Sequence, residues 1–425
     1  MTITPWGDAT QLRARRLRPG PGADPSAVTR NQRERMYSAM VATIAENGYE
    51  ATRVADVVKL SGVSRSAFYK HFEDKLDCFL ATLDEVAELA FAQLAKRYDP
   101  DLPWETRLRV VADAFLDLLL EQPAAARLCL VEVYAAGPPA VERLDRAVAT
   151  VESEIARAFR ESPERAGMPR DVIRAIAGGL LKTVQTRLRR GEQVELIEQL
   201  PQLLDWGLSY EAPPEPLRRP RRKPDRGAAP LPDPTVPRER LVTAITDTIA
   251  ERGYPDTTII EIAERASASL STFYGNFENK GEALLAALDR EREQSLTAAW
   301  AAVEAAPDWP RGIRAGLDAL LGFFAAEPAA ASVAIVDAFT AGAEGPEGGD
   351  QTIWAFHVFL EPGYELAPDT PPLTSEAVGN AVYSLVYGQI RADRVERMRE
   401  LAPTATFVAL APFTGSATAC AVANA

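Results

Sequence analysis

A chain of 425 residues with a formal net charge of −13 is not a uniformly basic, nucleic-acid-coating protein, although a local basic face survives that average. Its 47% hydrophobic and 25% charged residues are ordinary globular values and exclude a wholly disordered chain. Three cysteines without a CxxC pair (Cys78, Cys129, Cys420) exclude a disulfide framework, and two histidines (His71, His357) leave no zinc-site spacing. No metal and no other cofactor is therefore expected.

Residues 1–29 carry arginines at 13, 15, 16 and 18 with no apolar stretch behind them. They read as a disordered basic arm and not as a signal peptide. From Arg33 to Asn47, Met36, Met40, Val41 and Ile44 form a helical stripe that stops at Gly48. Thr52 is placed to cap a second helix that buries Val54, Val57 and Val58. Gly62-Val63 makes a tight turn, and Ser64 caps a short third helix, Arg65–Tyr69, which Phe68 pins to the core. The outer face of that helix presents Arg65, Ser66, Lys70 and the Tyr69 hydroxyl. This is a helix–turn–helix, whose second helix fits a major groove. Arginine can grip guanine bidentately, while tyrosine, serine and lysine reach phosphate oxygens.

Lys75 falls in the first turn of the next helix, where a cation opposes the helix dipole unless a phosphate approaches it. A local pair with Glu73 or Asp74 is the competing reading. His71 has no nucleophile or carboxylate pattern beside it, so it reads as a phosphate contact or a plain surface position. Cys78 and Cys129 sit on apolar helix faces as inert thiols.

Leu108–Leu120, Val141–Phe159, Ile173–Leu188 and Leu196–Leu208 have helical spacing, and no long stretch alternates with period two. The fold class is all-α. His357, among aromatics, reads as a satisfied core histidine. The tail from Thr406 reads as a helix end and a frayed terminus. No uninterrupted apolar run is long enough for a membrane span, and no catalytic or nucleotide-binding fingerprint is present. The chain is not expected to be an enzyme, and its expected location is the cytoplasm.

The chain repeats itself. Arg33–Lys75 aligns without a gap on Arg238–Lys280 at an offset of 205, with identities including Gly48/Gly253, Thr52/Thr257, Ser64/Ser269, Phe68/Phe273, Tyr69/Tyr274, Phe72/Phe277 and Lys75/Lys280. Toward each repeat's end the offset becomes 202, pairing Val184 with Val386 and Pro201 with Pro403. Between the repeats lies a Pro- and Arg-rich linker, long enough at ~3.1 Å per residue to span up to about 75 Å. The expected divisions are 1–29, the basic arm; 30–76, the first helix–turn–helix head; 77–210, its helical domain; 211–236, the linker; 237–281, the second head; and 282–425, the second helical domain.

The string TRVADVVKLSGVSRSAFYKHFEDK (Thr52–Lys75) resembles the DNA-binding signature of TetR-family (tetracycline-repressor-type) regulators, and TTIIEIAERASASLSTFYGNFENK (Thr257–Lys280) is similar to it. The resemblance implies two TetR-like units, each with a three-helix DNA-binding domain and a helical domain that binds a small molecule. Phe115, Leu119, Leu128, Tyr134, Phe159 and Thr183 are then candidates to line that ligand pocket among the middle helices of the first unit, with core packing as the competing reading for each. Dimerisation would use the last two helices, Ile173–Arg190 and Glu195–Tyr210 in the first unit, Ser375–Arg391 and Val395–Phe413 in the second. By position it makes Thr52, Ser64, Arg65, Ser66, Ala67, Tyr69, Lys70, His71 and Lys75 the DNA-facing set, with Thr257, Ser269, Ser271, Thr272, Tyr274 and Lys280 in the second copy.

The second copy departs from the first: Arg65 becomes Leu270, Lys70 becomes Gly275, His71 becomes Asn276, and Gly62-Val63 becomes Ser267-Ala268. Arg30–Leu80 holds eight basic and seven acidic residues, net +1, whereas Thr235–Leu285 holds five and eight, net −3. Phosphate binding follows cation count, so the second head is expected to bind DNA more weakly. The expected protein is a regulator of a double-stranded DNA operator, a repressor released by a small hydrophobic effector, with its units paired inside one chain. A homodimer with four heads, or a helical ligand-binding protein that has lost DNA binding, are the alternatives.

Overall fold

A computed structural model of the chain describes residues 2–17, 24–220, 236–337 and 346–425. Apart from a two-stranded hairpin, Ile3–Thr4 with Gly7–Asp8, its regular elements are helices among the described residues. The chain divides into two compact bodies, Met1–Ala158 with Val184–Pro201, and Phe159–Thr183 with Gln202–Ala425. The division does not follow the sequence repeat, because the end of the first repeat clusters with the second.

In the first body, α1 (Pro25–Ala51), α2 (Val54–Ser61), α3 (Arg65–His71) and the start of α4 (Lys75–Arg97) make the head. The remaining helices are α5 (Trp104–Glu121), α6 (Pro123–Arg127) and α7 (Pro138–Phe159). Met36, Met40 and Ile44 of α1, Val57, Phe68, Phe72, Phe79 and Leu83 form one buried cluster that extends to Leu128 and Val133. Each such side chain contributes about 1.5–3 kcal/mol by leaving water, so the apolar stripes hold these short helices together. α1 breaks at Gly48, whose φ of 75° an L side chain rarely adopts.

The N-terminal arm is ordered where it is described, contrary to expectation. Leu12 and Ala9 are buried, Trp6 packs 5.5 Å from the Tyr37 ring, and the Thr4 and Ser38 hydroxyls are hydrogen-bonded at 2.7 Å. These few residues, scattered among the arginines, cap α1 while the guanidiniums stay outside. Arg18 falls in residues 18–23, outside the described residues.

Three helices contribute to both bodies: α7, whose last residue Phe159 falls in the second, α8 (Arg170–Arg190), as far as Thr183 in the second, and α9 (Leu196–Leu208), from Gln202 onward in the second. The second body also holds α10 (Pro237–Arg252), α11 (Ile259–Arg265), α12 (Leu270–Tyr274), α13 (Lys280–Glu304), α14 (Trp309–Ala326), α15 (Pro328–Ser332), α16 (Pro346–Leu366), α17 (Thr374–Arg391) and α18 (Ala402–Ala423). Leu241, Ile245, Ile262, Phe273, Phe277 and Leu284 rebuild the core of the first head in the second.

Within this body the closing helices of the first repeat pack on those of the second. Tyr210 Oη donates to the Val408 carbonyl at 2.8 Å, and Asn380 Nδ2 donates to Thr183 Oγ1 at 3.0 Å. Gly179 brings α8 so near α17 that a Cβ there would lie 2.8 Å from the Ala377 carbonyl oxygen and 2.7 Å from the Trp206 ring. The start of the linker is docked as well, with Ser416 Oγ donating to the Glu211 carbonyl at 3.0 Å and Arg218 N to Asn424 Oδ1 at 2.7 Å. Residues 221–235, most of the linker, lie outside the described residues.

The tail is no frayed terminus. α18 runs to Ala423 with a break at Gly415, and Phe407, Leu410, Ala419 and Cys420 are buried. Val395–Ala423 is long and apolar enough to cross a membrane, yet 61% of its most apolar stretch is buried inside this fold, as in a core helix. His357 is exposed, with Nδ1 3.2 Å from Ser375 Oγ, and is not the expected core histidine.

Candidate nucleic-acid interface

The α2–turn–α3 segment of the first head is built from local sequence. The Asp56 carboxylate accepts from Arg53 N at 3.0 Å at the start of α2. α2 ends at Gly62 in the left-handed region, and the buried Arg35 donates to the Ser61 carbonyl at 2.8 Å. Ser64 Oγ then accepts from Ala67 N at 3.1 Å, the cap expected for α3. Phe68 is fully buried and fixes the roll of α3. That roll leaves Ser64, Arg65, Ser66, Tyr69 and Lys70 exposed along one side, with Ala67 packed against the head. The Arg65 guanidinium lies 5.7 Å from the Tyr69 ring centroid, so the two side chains stand together. Cations and hydroxyls on one exposed helical side suit phosphate oxygens and guanine edges.

Three expected contacts are corrected. Thr52 is buried and donates through Oγ1 to the Gly48 carbonyl at 2.7 Å, closing α1 while Arg53 takes the cap position of α2. Lys75 turns inward. Its Nζ donates to the Tyr49 carbonyl at 2.9 Å and sits 4.0 Å from the Tyr49 ring centroid. Burial holds this ammonium below the usual lysine range and pushes the Tyr49 phenol up to about 12. His71 is half-buried, with Nε2 3.0 Å from Gln32 Oε1. Burial, then Arg33 and Lys70, lowers its pKa, so the neutral ring fastens α3 to α1.

Lys75→Met is accordingly expected to cost about 1–2 kcal/mol of stability, the scale of a charge-assisted hydrogen bond. It should leave the slope of log K against log salt unchanged. Urea unfolding and a salt titration of DNA binding check this, and a slope reduced by about one unit would return Lys75 to the phosphate contacts.

The second head keeps the frame and loses the charge. Thr257 is buried on the Gly253 carbonyl at 2.9 Å, and Lys280 reaches the Tyr254 and Thr257 carbonyls at 2.6 and 2.8 Å, so neither faces outward. Ser269 caps α12 through Thr272 N at 3.0 Å and bonds the half-buried Thr272 hydroxyl at 2.9 Å. Ser269, Leu270, Ser271 and Tyr274 remain exposed. Ser267 stands where Gly62 does, at a φ of 50°. Arg265 makes two bonds to Glu251, and Arg252 pairs with Glu261 at 2.7 Å, so the arginines here are answered by neighbouring carboxylates.

Sequence reasoning missed Arg13. Its guanidinium donates to the Lys59 carbonyl at 2.7 Å, and its stem passes over Gly62, adding an exposed cation beside the α2–α3 turn. The only signal was the arginine cluster of the arm.

The six ligand-lining candidates fall in different packing clusters among the described residues. Phe115 and Leu119 pack with Val184, Leu188 and Leu196. Leu128 and Tyr134 belong to the core of the first head, and Tyr134 Oη accepts from Gln185 Nε2 at 3.1 Å. Phe159 and Thr183 are buried in the second body, where Thr183 meets Asn380. A small apolar cavity of about 30 Å³ instead lies in the second repeat, lined by Leu296, Val303, Leu317, Phe356, Phe359 and Leu360 among others. No group of three His, Cys, Asp or Glu side chains among the described residues is arranged to hold a metal ion. Burial raises the thiol of Cys78, and raises that of Cys129 to about 12, which keeps both protonated.

Residues 37–82 and 241–288 each match the family described as bacterial regulatory proteins, tetR family. The HTH-type transcriptional regulator CymR of Pseudomonas putida is 36% identical over 87 residues, which are 20% of this chain and 43% of that protein. The HTH-type transcriptional activator FasR of Mycolicibacterium smegmatis is 24% identical over 107 residues, 25% of this chain and 49% of that protein. The chain thus spans about half the length of the curated relatives it matches. A TetR-like transcriptional regulator from a Rhodococcus species aligns in structure over 44% of this chain and 99% of its own, at 22% identity and a TM-score of 0.35.

Proposed function

We propose, from the premise that this chain is a tandem duplication of tetR-family regulatory units, that it is a sequence-specific DNA-binding transcriptional regulator whose two units form an intramolecular pseudo-dimer. The observation that carries the DNA-binding reading is the exposed side of α3, where Arg65, Ser66, Tyr69 and Lys70 stand clear of the core. The pairing of α8 and the end of α9 with α17 and α18 inside one chain supports the pseudo-dimer. Because the heads carry different exposed residues, the preferred operator is asymmetric. Two recognition helices one duplex turn apart span roughly 34–36 Å, and an effector acts by shifting the population toward a spacing that no longer fits successive grooves.

The effector is proposed to be small and hydrophobic, and the apolar cavity of the second repeat supports that reading. At about 30 Å³ it holds little more than a water, so a ligand of ordinary size must part α13, α14 and α16 to enter. Such a separation is the kind of motion that release from DNA requires. Repression is the proposed output.

Selection of bound fragments from random-sequence DNA, with footprinting of the winner, tests the core of this reading. The expected result is an asymmetric site protected by one chain, with a solution mass of one chain in the absence of DNA. An inverted repeat bound by two chains would replace the internal pair with a homodimer of four heads. No enrichment at low salt by folded protein would overturn DNA binding itself.

A further inference from the structure

The second body holds a polar pocket of about 250 Å³ that the DNA-binding reading does not use. Three stretches distant in sequence converge on it. Asp171 and Arg174 come from the first turns of α8, Arg219 from the docked start of the linker, and Arg394, Arg397 and Glu400 from the segment joining α17 to α18. Four guanidiniums therefore face two carboxylates, a local excess of two positive charges in a chain whose net charge is −13.

The two carboxylates leave the pocket with a surplus of positive charge. Glu400 takes a two-pronged contact from Arg397 at 2.9 Å on each oxygen and a longer one from Arg219 at 3.5 Å. Asp171 meets Arg174 at 3.5 Å. The exposed Arg394 guanidinium makes no hydrogen bond or ion pair among the described residues. Hydrogen bonding to Arg397 and the charges of Arg397, Arg219 and Arg394 hold the Glu400 carboxyl below its usual range, as a positive pocket would.

The backbone keeps the arginines in place. Asp393 sits at a φ of 53°, an uncommon conformation for a residue with a side chain, and it turns the chain from α17 into the 3-10 segment Val395–Leu401. Gln389 Nε2 bonds the Arg397 carbonyl at 3.3 Å, and Gly388 leaves the floor open, since a Cβ there would meet nothing within 4 Å. The carbonyl end of α17 favours a cation nearby and accounts for Arg391. It accounts for neither Arg174 nor Arg219. Arg174 stands in the first turns of α8, the positive end of that dipole, with the Asp171 carboxylate 3.5 Å away.

We propose that this pocket binds a small multivalent oxyanion, a phosphate ester or a polycarboxylate, which ties α8 of the first repeat to the α17–α18 connection of the second. Guanidinium forks match carboxylate and phosphate oxygens in pairs, and 250 Å³ admits a compact polyanion rather than a nucleic acid strand. The inference stands apart from the DNA-binding reading, since neither head takes part.

The test is isothermal titration of the full chain with inorganic pyrophosphate and, separately, with citrate, at constant ionic strength set by sodium chloride. The expected result is saturable binding of one anion per chain. Arg174→Gln and Arg394→Gln, both exposed positions, should each weaken it at least tenfold, while Arg97→Gln on α4 should leave it unchanged. Tighter pyrophosphate points to a phosphate ester and tighter citrate to a polycarboxylate, and either supports the site. Absence of saturation, or equal binding by all three variants, would overturn it.

Discussion

Arg65→Ala is expected to weaken binding to the preferred operator by about 1–3 kcal/mol and to relax base choice at one position, whereas Leu270→Ala at the matching place should change neither by more than a few tenths. The difference follows from what the two helices expose. α3 carries Arg65 and Lys70 outward, while α12 and the residue that ends it place Leu270 and Gly275 there. Tyr69→Ala is expected to act otherwise, lowering affinity for all sequences alike, because a phenol on a phosphate positions the helix without reading a base. Competition binding of each variant against a panel of single-base operator changes separates the effects. Equal losses on every sequence for Arg65→Ala and Tyr69→Ala would defeat this division of labour. A Leu270→Ala loss as large as that of Arg65→Ala would make the second head an equal reader.

Replacing Gly179 by leucine is expected to cost at least about 3 kcal/mol, although glycine is a poor helix former. Two effects oppose here. Removing a glycine from a helix interior favours the helix by about 1 kcal/mol. Against that, a Cβ at 179 would stand 2.8 Å from a backbone oxygen of α17, and a main chain cannot swing aside as a side-chain end can. The clash wins, and α8 must separate from α17. Gly388→Ala is the matched control, because its Cβ meets open space and only the helix-propensity gain remains. Urea unfolding should move the two variants in opposite directions. A Gly179→Leu protein as stable as the parent would mean that this contact contributes nothing to the pairing of the repeats.

The heads were legible in sequence because local rules build them. Glycine breaks, a serine cap and a buried phenylalanine at fixed spacing are enough to define α2, the turn and α3. The direction of Lys75 was not legible, because the carbonyl it binds belongs to Tyr49, on the other side of the turn. Its repetition by Lys280 on Tyr254 makes it part of the frame of both heads. Which core each lining candidate enters was not legible for another reason: an apolar helical stripe has the same period whichever neighbour covers it. Phe115, Leu128 and Phe159 all face inward, yet into different cores. The N-terminal cap and α18 escaped notice because small and apolar residues mixed with arginines, or strung out as alanines, resemble disorder in composition while packing well.

The packing of the first repeat's closing helices on those of the second has a consequence for gene dosage. A regulator assembled from separate chains must first find its partner, so at low copy number the amount of active dimer falls with the square of its abundance. In the proposed internal pair the partner is tethered, at an effective concentration far above that of a scarce regulator in a cell. Occupancy of an operator then rises in simple proportion to the number of chains made. Each head is also free to drift alone, since a change in one leaves the other untouched. A duplicated gene of this kind can acquire an unsymmetrical target one half at a time.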